Sequence, residues 1–308
     1  MRDVFISALT EYAANDPNVL LITGDLGFGV LTEFAENKPK QFINAGVAEQ
    51  NMTGIATGMA LSGNIVFTYS IANFPTLRCL EQIRNDVLYH DAPVNIVSVG
   101  GGFSYGALGM SHHATEDVAI MRALPGLRMF TPSDQIETEA AVALMINEPA
   151  PSFIRLDKSK VDSNEFLSAT IDGPIRPLRK GSEVAILGYG GILREALGAV
   201  ERLEKQGISP SVYSIPMIKP MDTAALADAL RGYSLIVSLE EHVAYGGLGS
   251  LLADTMVDEQ VDSCRLLRFG LPDSYSSIVG SQEYLRSRFE LDADSVAKKI
   301  VERLGTPS

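Results

Sequence analysis

Only two cysteines, Cys79 and Cys264, occur in the 308 residues, far apart and in no metal-ligand spacing. Their scarcity excludes a disulfide framework and a zinc ribbon, and leaves two reduced thiols in a reducing compartment as the expectation. Basic residues are also in short supply: 25 Lys and Arg stand against 38 Asp and Glu, a net charge of −13. With no basic stripe to displace counterions, the chain is not expected to bind nucleic acid. No segment approaches the ~20 apolar residues of a membrane span. The N-terminal "MRDVFISALTEYAAND" has the pattern of an amphipathic helix and lacks the apolar run of a signal peptide. The expectation is a cytoplasmic protein with no membrane partner. What the chain does have is 46% hydrophobic and 20% charged residues, the composition of an ordinary globular protein with a sizeable core. Its length favours two domains.

Short β-rich runs alternate with helical patterns. "VLLITGD" (19–25), "NIVFTYS" (64–70) and "PVNIVSVG" (93–100) read as strands, the last a continuous apolar run of the kind buried on both faces. Between them, apolar residues at 48, 52, 55, 56 and 59 have helical spacing. The alternation fades in the polar, proline- and glycine-bearing stretch up to Ser182, then resumes with "VAILGYG". This predicts an α/β protein of two domains with mainly parallel sheets flanked by helices: residues 1–157, a linker over 158–182, and residues 183–308.

Three stretches invite chemistry. "GYGGIL" (188–193) follows a strand and opens a helix. It lacks the third glycine of a dinucleotide-binding turn and the acidic residue about 20 positions on, so it reads as a tight structural turn. "GGGFSYGALGMSHHATED" (100–117) follows the end of a buried strand, where open α/β sheets bind ligands. Its glycines let a backbone approach a ligand or another chain closely. His112 and His113 lie in it; adjacent histidines diverge, so a substrate contact or proton carrier fits them better than a metal pair. The third is "NAGVAEQNMTGIATGMAL" (44–61), where Glu49 opens a helix of small and apolar residues. The helix dipole accounts for an exposed acid there. The surrounding "FINAGV" and the glycines 54 and 58 instead suggest close packing against another helix. A carboxylate buried in that way gains proton affinity unless it finds a partner.

In their order, the GD loop, the "GVAEQNM" helix, the aromatic-bearing "SIANFPTL", the Gly-rich loop with "SHH", "TPSD" and "FIR" resemble the transketolases, over their C-terminal two domains of three. Deoxyxylulose-phosphate synthase and the β-subunits of 2-oxo acid dehydrogenases share the layout. The resemblance implies that thiamine diphosphate is the cofactor and that Glu49 hydrogen-bonds N1′ of its aminopyrimidine, assisting proton removal from thiazolium C2. It further implies that Asp25 lies near the cofactor and that Phe74, or Ile71 in its stead, stacks on the pyrimidine. His112 then contacts the substrate carbonyl, and Arg2 and Arg155 clamp a sugar phosphate.

Departures from the pattern matter as much. Gly29 replaces a serine of the phosphate site, a glycine near position 100 replaces a histidine, and Leu108 replaces an aspartate that contacts a substrate hydroxyl. The GDG…N motif that binds the diphosphate and its Mg²⁺ in the family occurs nowhere in the chain. The chain therefore reads as the C-terminal subunit of a split transketolase. A partner carries GDG…N and most of the Mg²⁺ contacts, and the chain pairs with a second copy of itself within an α2β2 assembly. The expected reaction is transfer of a two-carbon ketol unit between sugars, phosphorylated ones first. The other readings are a relative that decarboxylates a 2-oxo acid, and a catalytically silent structural subunit.

Overall fold

The computed structural model describes residues 1–262 and 264–305. Six strands of the first half are β1 (Val19–Thr23), β2 (Phe42–Asn44), β3 (Ile65–Ile71), β4 (Val94–Val99), β5 (Arg128–Phe130) and β6 (Ser152–Leu156). The second half adds β7 (Arg176–Arg179), β8 (Val184–Gly188), β9 (Ser211–Ser214), β10 (Met217–Lys219), β11 (Leu235–Val243) and β12 (Arg265–Leu271). They form a seven-stranded sheet, in the order β10-β5-β6-β4-β3-β1-β2, and a five-stranded sheet, β12-β11-β8-β9-β7. Within each sheet every pairing is parallel except that of one edge strand, β10 on β5 and β7 on β9. The expected α/β architecture is what the chain adopts.

The sequence pattern explains the layering. All six residues of β4 and all five of β1, β6 and β8 are buried, as strands covered by helices on both faces must be. The helix Leu193–Glu204 buries Leu193, Ala196, Ala199, Val200 and Leu203, the stripe its spacing predicts. The polar stretch 158–182 is not wholly strand-free, since β7 lies in it. β10, from the second run, crosses to the edge of the first sheet. One apolar core is accordingly continuous from Ile22, Met52 and Ile96 to Leu187, Ile236 and Leu248.

The junction between the sheets is polar as well as apolar. In "TPSD", Asp134 caps the helix Gln135–Asn147 by accepting from the Glu137 N–H at 2.8 Å, while Glu137 reaches back to the Ser133 N–H. Ser133 Oγ in turn accepts from the Gly190 N–H at 2.8 Å, and Asp157 from the Gly191 N–H at 2.8 Å. A Cβ on Gly190 would strike Asp157, and one on Gly191 would strike Ser159. "GYGGIL" is thus a turn built for close approach of the two halves.

One expectation from the glycines of the 44–61 stretch is corrected. The helix Glu49–Leu61 turns Gly54 and Gly58 outward, and a Cβ on either would meet nothing within 4 Å. Val47 and Leu61 are exposed beside them. The small-residue face is open, and no helix of this chain packs on it.

Candidate active site

The residues singled out from the sequence gather at the carboxyl ends of four neighbouring strands, β1, β3, β4 and β6, the end at which parallel sheets present ligands. After β1 the chain turns sharply at Asp25, whose φ of 56° places a non-glycine residue in the left-handed region. Asn44, at the end of β2, holds that turn: its Nδ2 donates to Asp25 Oδ1, and its Oδ1 accepts from the Asp25 and Gly46 N–H groups, all at 3.0 Å. Gly24 lies so close to Glu49 that a Cβ would touch its side chain at 3.4 Å.

Glu49 is the first residue of its helix and only 2% exposed. A carboxylate so placed requires a partner, and Arg78 supplies it: Nη1 lies 2.6 Å from Oε2. The Arg78 guanidinium also lies 4.6 Å from the centroid of the Phe74 ring, a cation–π distance. Phe74 meets His112 edge-on, with centroids 5.3 Å apart, and His112 meets Tyr105 at 6.3 Å. Over Tyr105, 3.6 Å from its centroid, sits Lys158 Nζ. Glu49, Arg78, Phe74, His112, Tyr105 and Lys158 thus form one continuous chain of contacts. Burial, then the nearby Arg2 charge, pushes the Lys158 ammonium below its ordinary value.

Of the two candidates for stacking, Phe74 joins this group, whereas Ile71 sits half-buried at the end of β3. Arg2 projects from the N-terminal helix, pairs with its neighbour Asp3 at 2.8 Å, and lines a cavity of about 400 Å³ together with Gly29. Asp3, Glu11 and Glu33 line the same cavity, which makes it acidic.

Two expectations are corrected. His113 is buried; its Nε2–H donates to the Gly106 carbonyl at 3.1 Å and its ring packs edge-on against Phe103. It braces the loop, and only His112 turns toward the site. Arg155 is 2% exposed and its donors are spent inside the chain. Nε donates to Asp117 at 2.9 Å, Nη1 to Asp157 at 3.3 Å, and Nη2 to the Ala114 and Glu241 carbonyls at 3.2 Å. Burial alone would lower its proton affinity, but Asp117 and Asp157 hold it above the ordinary value. A guanidinium so enclosed does not clamp a substrate phosphate.

The Gly-rich loop is explained by the same packing. A Cβ on Gly100 would strike Tyr105, on Gly101 the Arg155 guanidinium, and on Gly102 the Glu241 carboxylate. Its glycines admit the chain's own side chains, where the sequence suggested a ligand or another chain. Leu108, by contrast, is exposed. Among the described residues, no three His, Cys, Asp or Glu side chains gather as metal ligands, and no helix is long and apolar enough to cross a membrane.

Sequence reasoning missed Arg78, Asn44, Tyr105 and Lys158. The one signal for Arg78 was its charge, set among "NFPTL" and "CL".

Comparison with known proteins places this geometry. Residues 1–163 match the family described as transketolase, pyrimidine binding domain, and residues 173–296 that described as transketolase, C-terminal domain. One of the two chains of an apulose-4-phosphate transketolase from Phocaeicola vulgatus is 32% identical, over 98% of this chain and 96% of its own length. A 6-deoxy-6-sulfo-D-fructose transketolase subunit from a Clostridium species is also 32% identical, over 98% and 95%. A solved structure described as a split gene transketolase, inactive beta4 tetramer, superposes with a TM-score of 0.87 at 31% identity, covering 98% of this chain and 97% of that one.

Proposed function

The chain belongs to the transketolase family, spanning its pyrimidine-binding and C-terminal domains, and we propose that it is the C-terminal half of a split enzyme moving a two-carbon ketol unit from a ketose to an aldose. Residues 1–157 form the pyrimidine-binding half in this reading, and 183–308 the C-terminal half. The observation that carries it is Glu49, a buried carboxylate at a helix start sharing one planar partner with the Phe74 ring. Family membership implies thiamine diphosphate, and these residues suit its pyrimidine: the Arg78 guanidinium, itself flat and delocalised, contacts the carboxylate and the aromatic face together. When bound, the cofactor supplies the stabilised carbanion chemistry of ketol transfer.

The chain's own residues do the rest. Glu49 holds or releases a proton at Oε2, shielded from water by its burial. Phe74 offers an apolar face, and Asp25, fixed by Asn44, borders the same end of the sheet. His112 has Nδ1 3.0 Å from Ser111 Oγ, a contact that orients the imidazole and leaves Nε2 to meet a substrate oxygen. Mg²⁺ and the diphosphate fall to an N-terminal partner bearing GDG…N, in an α2β2 assembly. The relatives named above act on a phosphorylated and a sulfonated sugar, by their names. Lys158, with Arg2 nearby, is the cation we assign to such an anion in place of Arg155.

Two measurements test this reading. Calorimetric titration of thiamine diphosphate with Mg²⁺ should show weak binding to the isolated chain, full binding to the reconstituted pair, and ketol transfer by the pair alone. Full binding and turnover by the isolated chain would sink the split-enzyme proposal. Lys158→Ala should raise KM for a phosphorylated or sulfonated ketose roughly tenfold, the value of one charge-assisted contact, with kcat little changed. An equal rise for an uncharged ketose would remove Lys158 from the anion site.

A further inference from the structure

Resting on that reading, we propose that Arg78 is a latch on the cofactor site: its guanidinium holds the two contacts, the Glu49 carboxylate and the Phe74 ring, that a bound aminopyrimidine requires, so that the two compete. A guanidinium is planar and delocalised and pairs with a carboxylate through its edge while offering its face to an aromatic ring. Arg78 does both, with Nη1 2.6 Å from Glu49 and the group 4.6 Å from the Phe74 centroid. A pyrimidine on Glu49 and Phe74 would need that same space.

The latch is built to move at its side chain alone. The turn beneath it is fixed: Thr76 Oγ1 donates to the Ala72 carbonyl at 2.7 Å, the Cys79 N–H to Thr76 at 3.1 Å, and Cys79 is fully buried. The Arg78 side chain itself is 45% exposed, so it can swing into solvent without disturbing the core. Glu49 cannot follow, being 2% exposed, and a carboxylate that deep is costly without a partner. Arg78 therefore leaves when another group takes over the carboxylate, which the pyrimidine edge can do. The latch lowers apparent affinity by the fraction of molecules in which it is closed. Because Arg78 is half exposed, solvent screening makes that factor modest.

The test is calorimetric titration of thiamine diphosphate, with Mg²⁺, into the reconstituted two-subunit enzyme carrying wild-type, Arg78→Ala or Arg78→Lys. Arg78→Ala should bind roughly threefold to thirtyfold more tightly than wild type. Arg78→Lys should fall between them, because an ammonium can pair with Glu49 but cannot lie flat on Phe74 at the same time. Unchanged affinity in both variants would overturn the latch. Weaker binding would overturn it too, and make Arg78 a cofactor contact. Should Arg78→Ala fail to fold, the direction of change in Arg78→Lys decides. A wild-type pair that binds no thiamine diphosphate at all would overturn the proposed function, and the latch with it; binding by wild type that the variants leave unaltered overturns the latch alone.

Discussion

Glu49→Gln is expected to slow ketol transfer by the reconstituted pair about 10²–10⁴-fold, the usual loss when a positioned acid–base group is removed. The amide has the same shape and is easier to bury than a carboxylate, so the helix Glu49–Leu61 should keep its start. Arg78 would exchange a charge-assisted contact for a neutral one, at a small cost because its side chain is half exposed. Cofactor affinity should change far less than rate, since the phenyl face of Phe74 and the partner's diphosphate contacts are untouched. The thermal unfolding midpoint and the rate of ketol transfer are the two quantities to compare. A rate within a few-fold of wild type would reduce Glu49 to a helix-start residue whose burial serves packing alone. A lost rate accompanied by lost folding would say the same.

How far the sequence foretold this structure depends on the distance over which each feature is decided. β4 could be read because six consecutive apolar residues have one stable use in an α/β chain, a strand covered on both faces. Glu49 could be read because the anomaly was local, a carboxylate opening a helix of small residues. Its partner could not, since Arg78 lies 29 positions away and only the close packing of β1 and β3 brings the two together. The glycines showed where the backbone needed room without saying for what. At 101 and 102 it was for Arg155 and Glu241; at 54 and 58 it was for nothing in this chain. Arg155 was misread for the same reason. "FIRLDK" places an arginine at the end of a strand facing the site, and it is Glu241, 86 residues further on in the other sheet, that helps close it in.

Arg155→Ala is expected to destabilise the chain by about 3–5 kcal/mol, the cost of removing one member of a buried ionic group and leaving the others. Asp117 and Asp157 would stay buried without their cation, and the Ala114 and Glu241 carbonyls without a donor. Arg286, which pairs with Glu241 and Glu195, is too far committed to replace it. The deficit should depend on pH in a definite direction. Burial, only partly offset by Arg155, pushes the Asp157 carboxyl up to about 6. A carboxyl raised on folding contributes stability at low pH that is lost as pH rises through its folded value. Without Arg155 that value moves higher still, so wild type and variant diverge above about pH 6 and converge below it. Urea unfolding at pH 5 and pH 8 measures this. The catalytic signature should be equally plain: activity lost in parallel on charged and uncharged ketoses, in proportion to the unfolded fraction. If instead stability were unchanged and KM rose for the charged ketose alone, Arg155 would be the anion clamp after all, and Lys158 would lose that role.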